Sequence, residues 1–373
     1  MLFLEVHCLG QPKTKSQKLG ERALIEAIRT RARVAGRGSR GLSSELRLGI
    51  GDDAAIVRAA KGEEIVVTTD FSLEGVHFRR EWHTAESVGH RCLARGLSDV
   101  AAMGARPVAA FLSMAVPEEL LTVRRGRSWL DRFFDGFLVL AKRYDVPLAG
   151  GDTARPAGEL ACFDVIVLGA VKRGRAWLRS GAKTGDFIYV TGALGGAAAE
   201  LMALERSPQR FAQLKKAMDG HPHLYPEPRL DVARKLAALG LVHAAIDVSD
   251  GLSTDLTHIC EESDLGAEID AAAIPVHRMA IEAERKGWAA SAMELALHGG
   301  EDYELLFTAA QEAKVTRRVA GVEVTRIGRM VPLPKGRRAR VRMRDANGRL
   351  IAIEARGWEH FGQGSQQPIA NSD

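Results

Sequence analysis

Residues 48–78, LGIGDDAAIVRAAKGEEIVVTTDFSLEGVHF, decide the fold and much of the chemistry. Asp52 and Asp53 sit in a glycine turn, Ile65, Val66 and Val67 form an apolar run of strand character, and Thr68, Thr69 and Asp70 follow at its end. A strand ending this way delivers hydroxyls and a carboxylate into a loop. The pattern recurs. Residues 146–149 run into Gly150, Gly151 and Asp152, residues 244–246 run into Asp247, Val248, Ser249 and Asp250, and a helical segment carries Leu97, Ser98 and Asp99. A single aspartate after a strand is ordinarily a turn residue or a helix cap. Four such sites in one chain imply loops that converge. Two carboxylates ~4 Å apart repel by about 4 kcal/mol at an effective dielectric of ~20, so a converging set needs cations between its members. Hard oxygen ligands favour magnesium.

On either side of this stretch the pattern is α/β. Residues 20–34 carry Leu24, Ile25 and Ile28 at helical spacing, and the glycines and serines of 36–44 end that helix. Residues 84–103 predict a helix with the stripe Val88, Cys92, Leu93, Leu97 and Val100, beside which Asp99 falls. A strand is expected at 107–116, a helix at 129–144 and another strand at 162–171. The Lys-, Arg- and Gly-rich segment 172–185 reads as a domain boundary. Beyond it, a strand at 186–191 runs into Gly192, Gly195 and Gly196 and an alanine-rich helix to Glu205. A glycine turn before a helix can cradle phosphate. This one lacks a GxGxxG frame and its acidic partner, so close packing of helix on sheet is the simpler expectation. A further helix at 230–239 has prolines before it and Gly240 after it. The expected layout is an extension over 1–18, an N-terminal α/β domain over 19–172, a C-terminal α/β domain over 173–362 and a polar tail over 363–373.

Composition narrows the class. At 373 residues, 46% hydrophobic and 27% charged, the chain is an ordinary globular protein with length for two or three domains. No apolar run approaches the ~20 residues of a membrane span and residues 1–9 lack the plan of a signal peptide, so the expected compartment is the cytoplasm and no membrane partner is expected. Cys8, Cys92, Cys162 and Cys260 are scattered without CxxC spacing, which argues against a disulfide framework and a zinc site. The net charge of +5 is concentrated in the first fifty residues. No aromatic residues interleave with that charge and the later loops are acidic, so a nucleic-acid partner is not expected.

Walker, protein-kinase, HExxH and GxSxG signatures are absent. Residues 298–304, HGGEDYE, are richer: the glycines free the backbone to approach a ligand, and Glu301 can accept hydrogen bonds from an amino group. The ordered segments GIGDDAAIV, TTDFSLEGVHF, GLSDVAAMGA, AGGDT, IDVSDG and HGGEDYELLFT resemble the thiamine-monophosphate kinase family, within the aminoimidazole ribonucleotide synthetase-like superfamily. The resemblance spans about residues 20–361. It implies two α/β domains of that type, ATP-dependent phosphorylation of thiamine monophosphate to thiamine diphosphate, several Mg2+ ions per site, and a homodimer paired through the N-terminal domains with nucleotide near the domain and subunit junction.

Matched motif by motif, the resemblance implies metal ligands at Asp53, Thr68, Thr69, Asp70, Asp99, Asp152, Asp247 and Asp250, with Asp70 and Asp152 catalytic. It implies ATP contacts at Gly151, Arg179 and Ser249, and thiamine phosphate contacts at His77, Glu301 and Trp358. The indole of Trp358 suits stacking and cation–π attraction to a thiazolium. Departures are the basic extension, Thr68 where serine also occurs, and the polar tail. A selenophosphate synthetase would need a reactive cysteine near the start and a hydrogenase-maturation dehydratase a C-terminal cysteine; this chain ends Ile369-Ala370-Asn371-Ser372-Asp373. Aminoimidazole ribonucleotide synthetase is the nearer rival enzyme, and a non-catalytic magnesium-nucleotide sensor is the rival from another class.

Overall fold

The computed structural model describes residues 21–36, 45–50, 54–124, 126–207, 220–333 and 339–357. The first half holds α1 (Glu21–Gly36), β1 (Leu46–Leu48), β2 (Ile56–Val57), β3 (Glu63–Leu73), α2 (Ala85–Ala102), β4 (Arg106–Ala115), α3 (Glu118–Leu121), α4 (Trp129–Arg143), β5 (Leu148–Ala154) and β6 (Cys162–Lys172). Four of these strands form a sheet in the order β3-β6-β4-β5, antiparallel except for β4 against β5. β3 and β5 are therefore opposite edges of one sheet. Alternation along β6 turns Phe163, Val165 and Val167 toward α2 and α4. Phe163 stacks on Phe133 of α4 with centroids 4.4 Å apart, an arrangement worth about 0.5–1.5 kcal/mol beyond area burial. The other face of the sheet is less covered: Ile65, Val67 and Phe71 of β3 are 38%, 58% and 54% exposed.

α2 begins at Thr84, whose hydroxyl caps the amide of Ser87 at 3.1 Å. It crosses α4 at two glycines. A Cβ on Gly89 would overlap the carbonyl of Phe133 and one on Gly136 the carbonyl of Glu86, so the two backbones touch where no side chain fits. Ser128 and Asp131 close a capping box at the start of α4.

The second half holds β7 (Phe187–Thr191), α5 (Gly196–Arg206), α6 (Leu230–Leu239), β8 (Val242–Asp247), α7 (Leu252–Glu262), β9 (Leu265–Asp270), α8 (Arg278–Arg285), α9 (Ala292–His298), β10 (Leu305–Ala309), β11 (Arg318–Val319), β12 (Val322–Pro332), β13 (Val341–Arg344) and β14 (Leu350–Ile353). Its sheet runs β14-β13-β9-β12-β7-β10-β8, with β11 paired to β12. One face, through Ile188, Val190, Ile246 and Leu306, buries α7. The other, through Tyr189, Ala245, Leu305 and Phe307, joins the same core as α2, α4 and α6. A single apolar core thus crosses from one sheet to the other, with α2 between them. Fifteen of the eighteen residues of α2 are buried, so its polar side chains have only protein or a cleft to face.

Two expectations are corrected here. Thr68, Thr69 and Asp70 do not lie in a loop after a short strand, because β3 continues through them to Leu73, paired residue for residue with β6. Gly151 and Asp152 likewise lie inside β5 rather than beyond it.

Candidate active site

Alternation along β3 turns Thr68 and Asp70 toward α2 and Thr69 to the other face. The Thr68 hydroxyl donates to Asp99 Oδ2, one helical turn beyond Arg95. On the same helix the Ser98 hydroxyl donates to Asp247 Oδ2 at 2.7 Å, joining α2 to the end of β8. A cleft of about 330 Å³ opens where these elements meet, and Thr69, Asp70, His77, Asp99, Asp247, Ser249, Asp250 and Glu301 all line it. Burial raises the Asp70 carboxyl to about 6, against the opposing charge of Arg95 and with help from Asp99. Burial, then Asp99 and Asp70, raise Asp247 to about 7. Asp99 is also raised by burial, which outweighs its bond from Thr68 and the charges of Arg95 and Arg179.

A further part of the lining comes from the loop before β10, which lies against the segment carrying Asp247 and Asp250. Gly300, Glu301 and Tyr303 have φ of 67°, 56° and 52°, the left-handed region that non-glycine residues rarely enter. The turn is held because Glu301 N donates to Ser249 O at 2.7 Å and Tyr303 N to Val248 O at 2.9 Å. The three acids of this motif then separate. Glu301 faces the cleft and accepts from Arg91 Nη2 at 2.7 Å. Asp302 accepts from Gly195 N at 2.7 Å and Ala197 N at 3.1 Å, so the amides at the start of α5 are already satisfied and the glycine turn there serves packing. Glu304 accepts from Arg229 Nε and Thr191 Oγ1, both at 2.6 Å.

Behind Glu301 lies a buried histidine pair. His83 Nδ1 accepts the amide of Arg79 at 3.2 Å, and the two Nε2 atoms of His83 and His223 are 3.0 Å apart. His223 Nδ1 reaches 3.1 Å from Glu301 Oε2 in a bent approach. Burial lowers both rings from their ordinary value, reinforced by the facing ring and Arg91 for His83 and by Arg91 for His223. Burial alone would push Glu301 up, but Arg91, His223 and Arg95 outweigh it and hold the carboxyl well below its usual range. His77 Nδ1 accepts the amide of Leu73 at 3.0 Å, which leaves its other nitrogen as the ring's remaining polar atom.

Not every expected residue meets here. Gly151 and Asp152 sit on the far sheet edge, beside Ile25, Ile28, Leu112 and Phe134; a Cβ on Gly151 would overlap the Leu112 carbonyl. Arg179 is exposed and does not line the cleft, though its charge reaches Asp99. Asp53 and Trp358 lie outside the described residues, as do the 1–18 extension and the 363–373 tail. The sequence reading missed Asp255 and His258, which form with Asp250 a set of ligand atoms within 4.8 Å of one another; Asp255 spends Oδ2 on the amides of Asp250 and Gly251. It also missed Arg91 and Arg95. Their signal was present: positions 91, 95, 98 and 99 form a polar line on a helix that, beyond Glu86, Ser87 and His90, is apolar or small. Arg95, just outside the GLSDVAAMGA segment, supplies a basic partner to the acidic cluster: its Nη2 donates to Asp70 Oδ1 at 2.7 Å.

Residues 51–171 match the family described as AIR synthase related protein, N-terminal domain, and residues 183–339 match the AIR synthase related protein, C-terminal domain. The two-sheet fold and its cleft are therefore of the AIR synthase related class. A curated thiamine-monophosphate kinase of Escherichia coli K12 is 37% identical over 328 residues, covering 85% of this chain and 93% of that one. The crystal structure of thiamine-monophosphate kinase from Stenotrophomonas maltophilia K279a superposes with TM-score 0.69 at 38% identity, over 87% of this chain and 97% of that one. AaThiL complexed with AMPPCP and TMP superposes with TM-score 0.67 at 28% identity, over 93% and 100%. The chain belongs to the thiamine-monophosphate kinase family, whose members are phosphotransferase enzymes. Among the described residues no helix is long and apolar enough to cross a membrane.

Proposed function

We propose that this chain transfers the γ-phosphoryl group of ATP directly to thiamine monophosphate, yielding thiamine diphosphate. The observation that carries this is one cleft lined both by the acids Asp70, Asp99, Asp247 and Asp250 and by His77, Glu301 and Tyr303. Two anionic substrates cannot share such a cleft with bare carboxylates. The acids fit magnesium: they are hard oxygen donors, and Asp70 and Asp247 are raised to about 6 and 7 by burial together with other carboxylates. Thr69, Asp70, Asp99, Asp247 and Asp250, with Asp53 and Thr68, would hold magnesium, which would supply neutralisation of the substrates' charge. Ser249 and the charge of Arg179 serve the donor. His77, Glu301 and Trp358 serve the acceptor. A phosphomonoester is largely ionised near neutral pH, so the acceptor oxygen needs no strong base. Among the described residues no cysteine lines the cleft, which leaves no thiol there to carry a phosphoenzyme. AaThiL with AMPPCP and TMP supports this pairing of ligands.

The same proposal includes a cytoplasmic homodimer of two-domain chains, divided at about residue 172. Its support is β3, an unpaired edge with Val67 and Phe71 more than half exposed. Joining this edge to the β5 edge of a second copy would set Gly151 and Asp152 of the partner subunit beside Thr69 and Asp70. Within one chain β3 and β5 are three strand spacings apart, roughly 14 Å.

The decisive assay is ADP release from ATP and Mg2+ with and without thiamine monophosphate, with thiamine diphosphate measured chromatographically. Acceptor-dependent ADP matched by thiamine diphosphate is expected. ADP release indifferent to the acceptor, or none, rejects the assignment. Stable γ-label on the denatured protein that is chased into product at a competent rate rejects direct transfer.

A further inference from the structure

Arg95 lies within the polar line of α2, one turn before Asp99, and lines the cleft. Its side chain is 13% exposed. Among the described residues only Nη2 is engaged, on Asp70 Oδ1 at 2.7 Å; Nε and Nη1 are buried without a hydrogen-bond partner there. A guanidinium carries five N–H donors in a rigid fork shaped for two oxygens of a carboxylate or phosphate. Burying a charged donor and leaving it unmade is unfavourable. Neutralising Asp70 alone would not require half the fork to stand open. The charge of Arg95 also acts on Tyr303 and Glu301, which line the same cleft as Arg95 and Asp70. A cationic group would be repelled there, and a neutral acceptor gains less than an anionic one. An anionic oxygen gains both open donors.

We propose that Arg95 grips a phosphate oxygen of the acceptor phosphomonoester and so makes the site prefer a phosphorylated acceptor to its dephosphorylated form. This rests on the phosphotransferase function proposed above. Nearness to Tyr303 and Glu301 assigns Arg95 to the acceptor rather than to the donor's phosphates. The planar fork favours Arg over Lys at this position because two oxygens can be held at once.

Equilibrium binding by calorimetry, with Mg2+ and without ATP, tests this on the full chain and on Arg95→Met and Arg95→Lys, with thermal melts to verify folding. The wild type should bind thiamine monophosphate more tightly than thiamine. Arg95→Met should weaken thiamine monophosphate at least tenfold, leave thiamine within about twofold, and melt cooperatively; Arg95→Lys should recover part of the loss. An unchanged phosphate preference in Arg95→Met overturns the proposal, as does a change confined to the midpoint of a Mg2+ titration, which would make Arg95 a counter-charge for Asp70. If the wild type binds neither thiamine compound, the proposed function fails, and the same comparison run with inorganic phosphate still decides Arg95: weaker phosphate binding in Arg95→Met upholds it, and equal binding removes it.

Discussion

β3 and β5 are the two edges of one four-stranded sheet, and each carries an aspartate next to residues able to approach a ligand closely. On β3, Asp70 faces a buried helix and meets Arg95 with Asp99 and Asp247 close by, and its carboxyl is raised to about 6. On β5, Asp152 is exposed and binds only the amide of its neighbour Thr153, at 2.8 Å, among its described partners. The same residue type at the same kind of position in the sequence is thus in one case packed into a shared site and in the other left at the surface. What separates them is the element laid across the strand. α2 crosses β3 and reaches β8, whereas β5 lies beside α1.

The largest expected effect comes from breaking the β3 side. Asp70→Asn should cut turnover by roughly a thousandfold, on the scale of lost transition-state electrostatics, with the fold unchanged by circular dichroism. Near-normal turnover in saturating magnesium would remove Asp70 from the chemistry. The next sharpens the contrast itself. If Asp152 serves the cleft of the other chain, Asp70→Asn and Asp152→Asn proteins are each inactive, but a heterodimer of the two holds one intact site. Co-refolding them should restore about a quarter of wild-type activity by random pairing. No recovery would keep both aspartates within one chain's site or dismiss Asp152.

A third variant tests the helix that makes the two edges unlike. Gly136→Ala forces a methyl into the carbonyl of Glu86 and should cost about 1–3 kcal/mol or more, as overpacking does, read as a lower denaturation midpoint. An unchanged midpoint would mean that the α2–α4 crossing yields. The smallest effect is in pH. Asp70 and Asp247 have folded values of about 6 and 7 against an ordinary 3.8, so the folded state keeps protons that the unfolded chain has released. Their contribution is whole below pH ~4 and is lost as pH rises through 6 and 7. The metal-free melting temperature should therefore fall between pH 5 and pH 8, and saturating Mg2+ should raise it by about 5 °C more at pH 8 than at pH 5. Equal Mg2+ shifts at both values would separate these carboxylates from the metal.

The elements were legible because their periods were clean. The helices expected at 84–103, 129–144 and 230–239 and the strand at 162–171 appear within a residue or two, since Gly240 and the caps at Thr84 and Ser128 mark ends chemically. The extent of β3 was misread because Thr68, Thr69 and Asp70 look like a strand terminus. Their polarity instead reflects the bond of Thr68 to Asp99 and the cleft that Thr69 and Asp70 line, and pairing with β6 overrides it. Glu301 was legible from its glycines. Its partners His83 and His223 were not, because their contact spans 140 residues of sequence. Arg95 escaped notice because an arginine on an amphipathic helix ordinarily faces water, and only the burial of α2 on nearly every side changes that.

The core that runs unbroken from one sheet to the other has a consequence for selectivity. Two halves sharing apolar packing around α2 resist parting like a jaw, and the cleft of about 330 Å³ is at the small end of ligand pockets. If the acceptor and the reacting phosphates fill that space, a nucleobase would fall outside it. Discrimination should accordingly fall on the acceptor, and nucleoside triphosphates that differ only in their base should serve as donors with similar kcat.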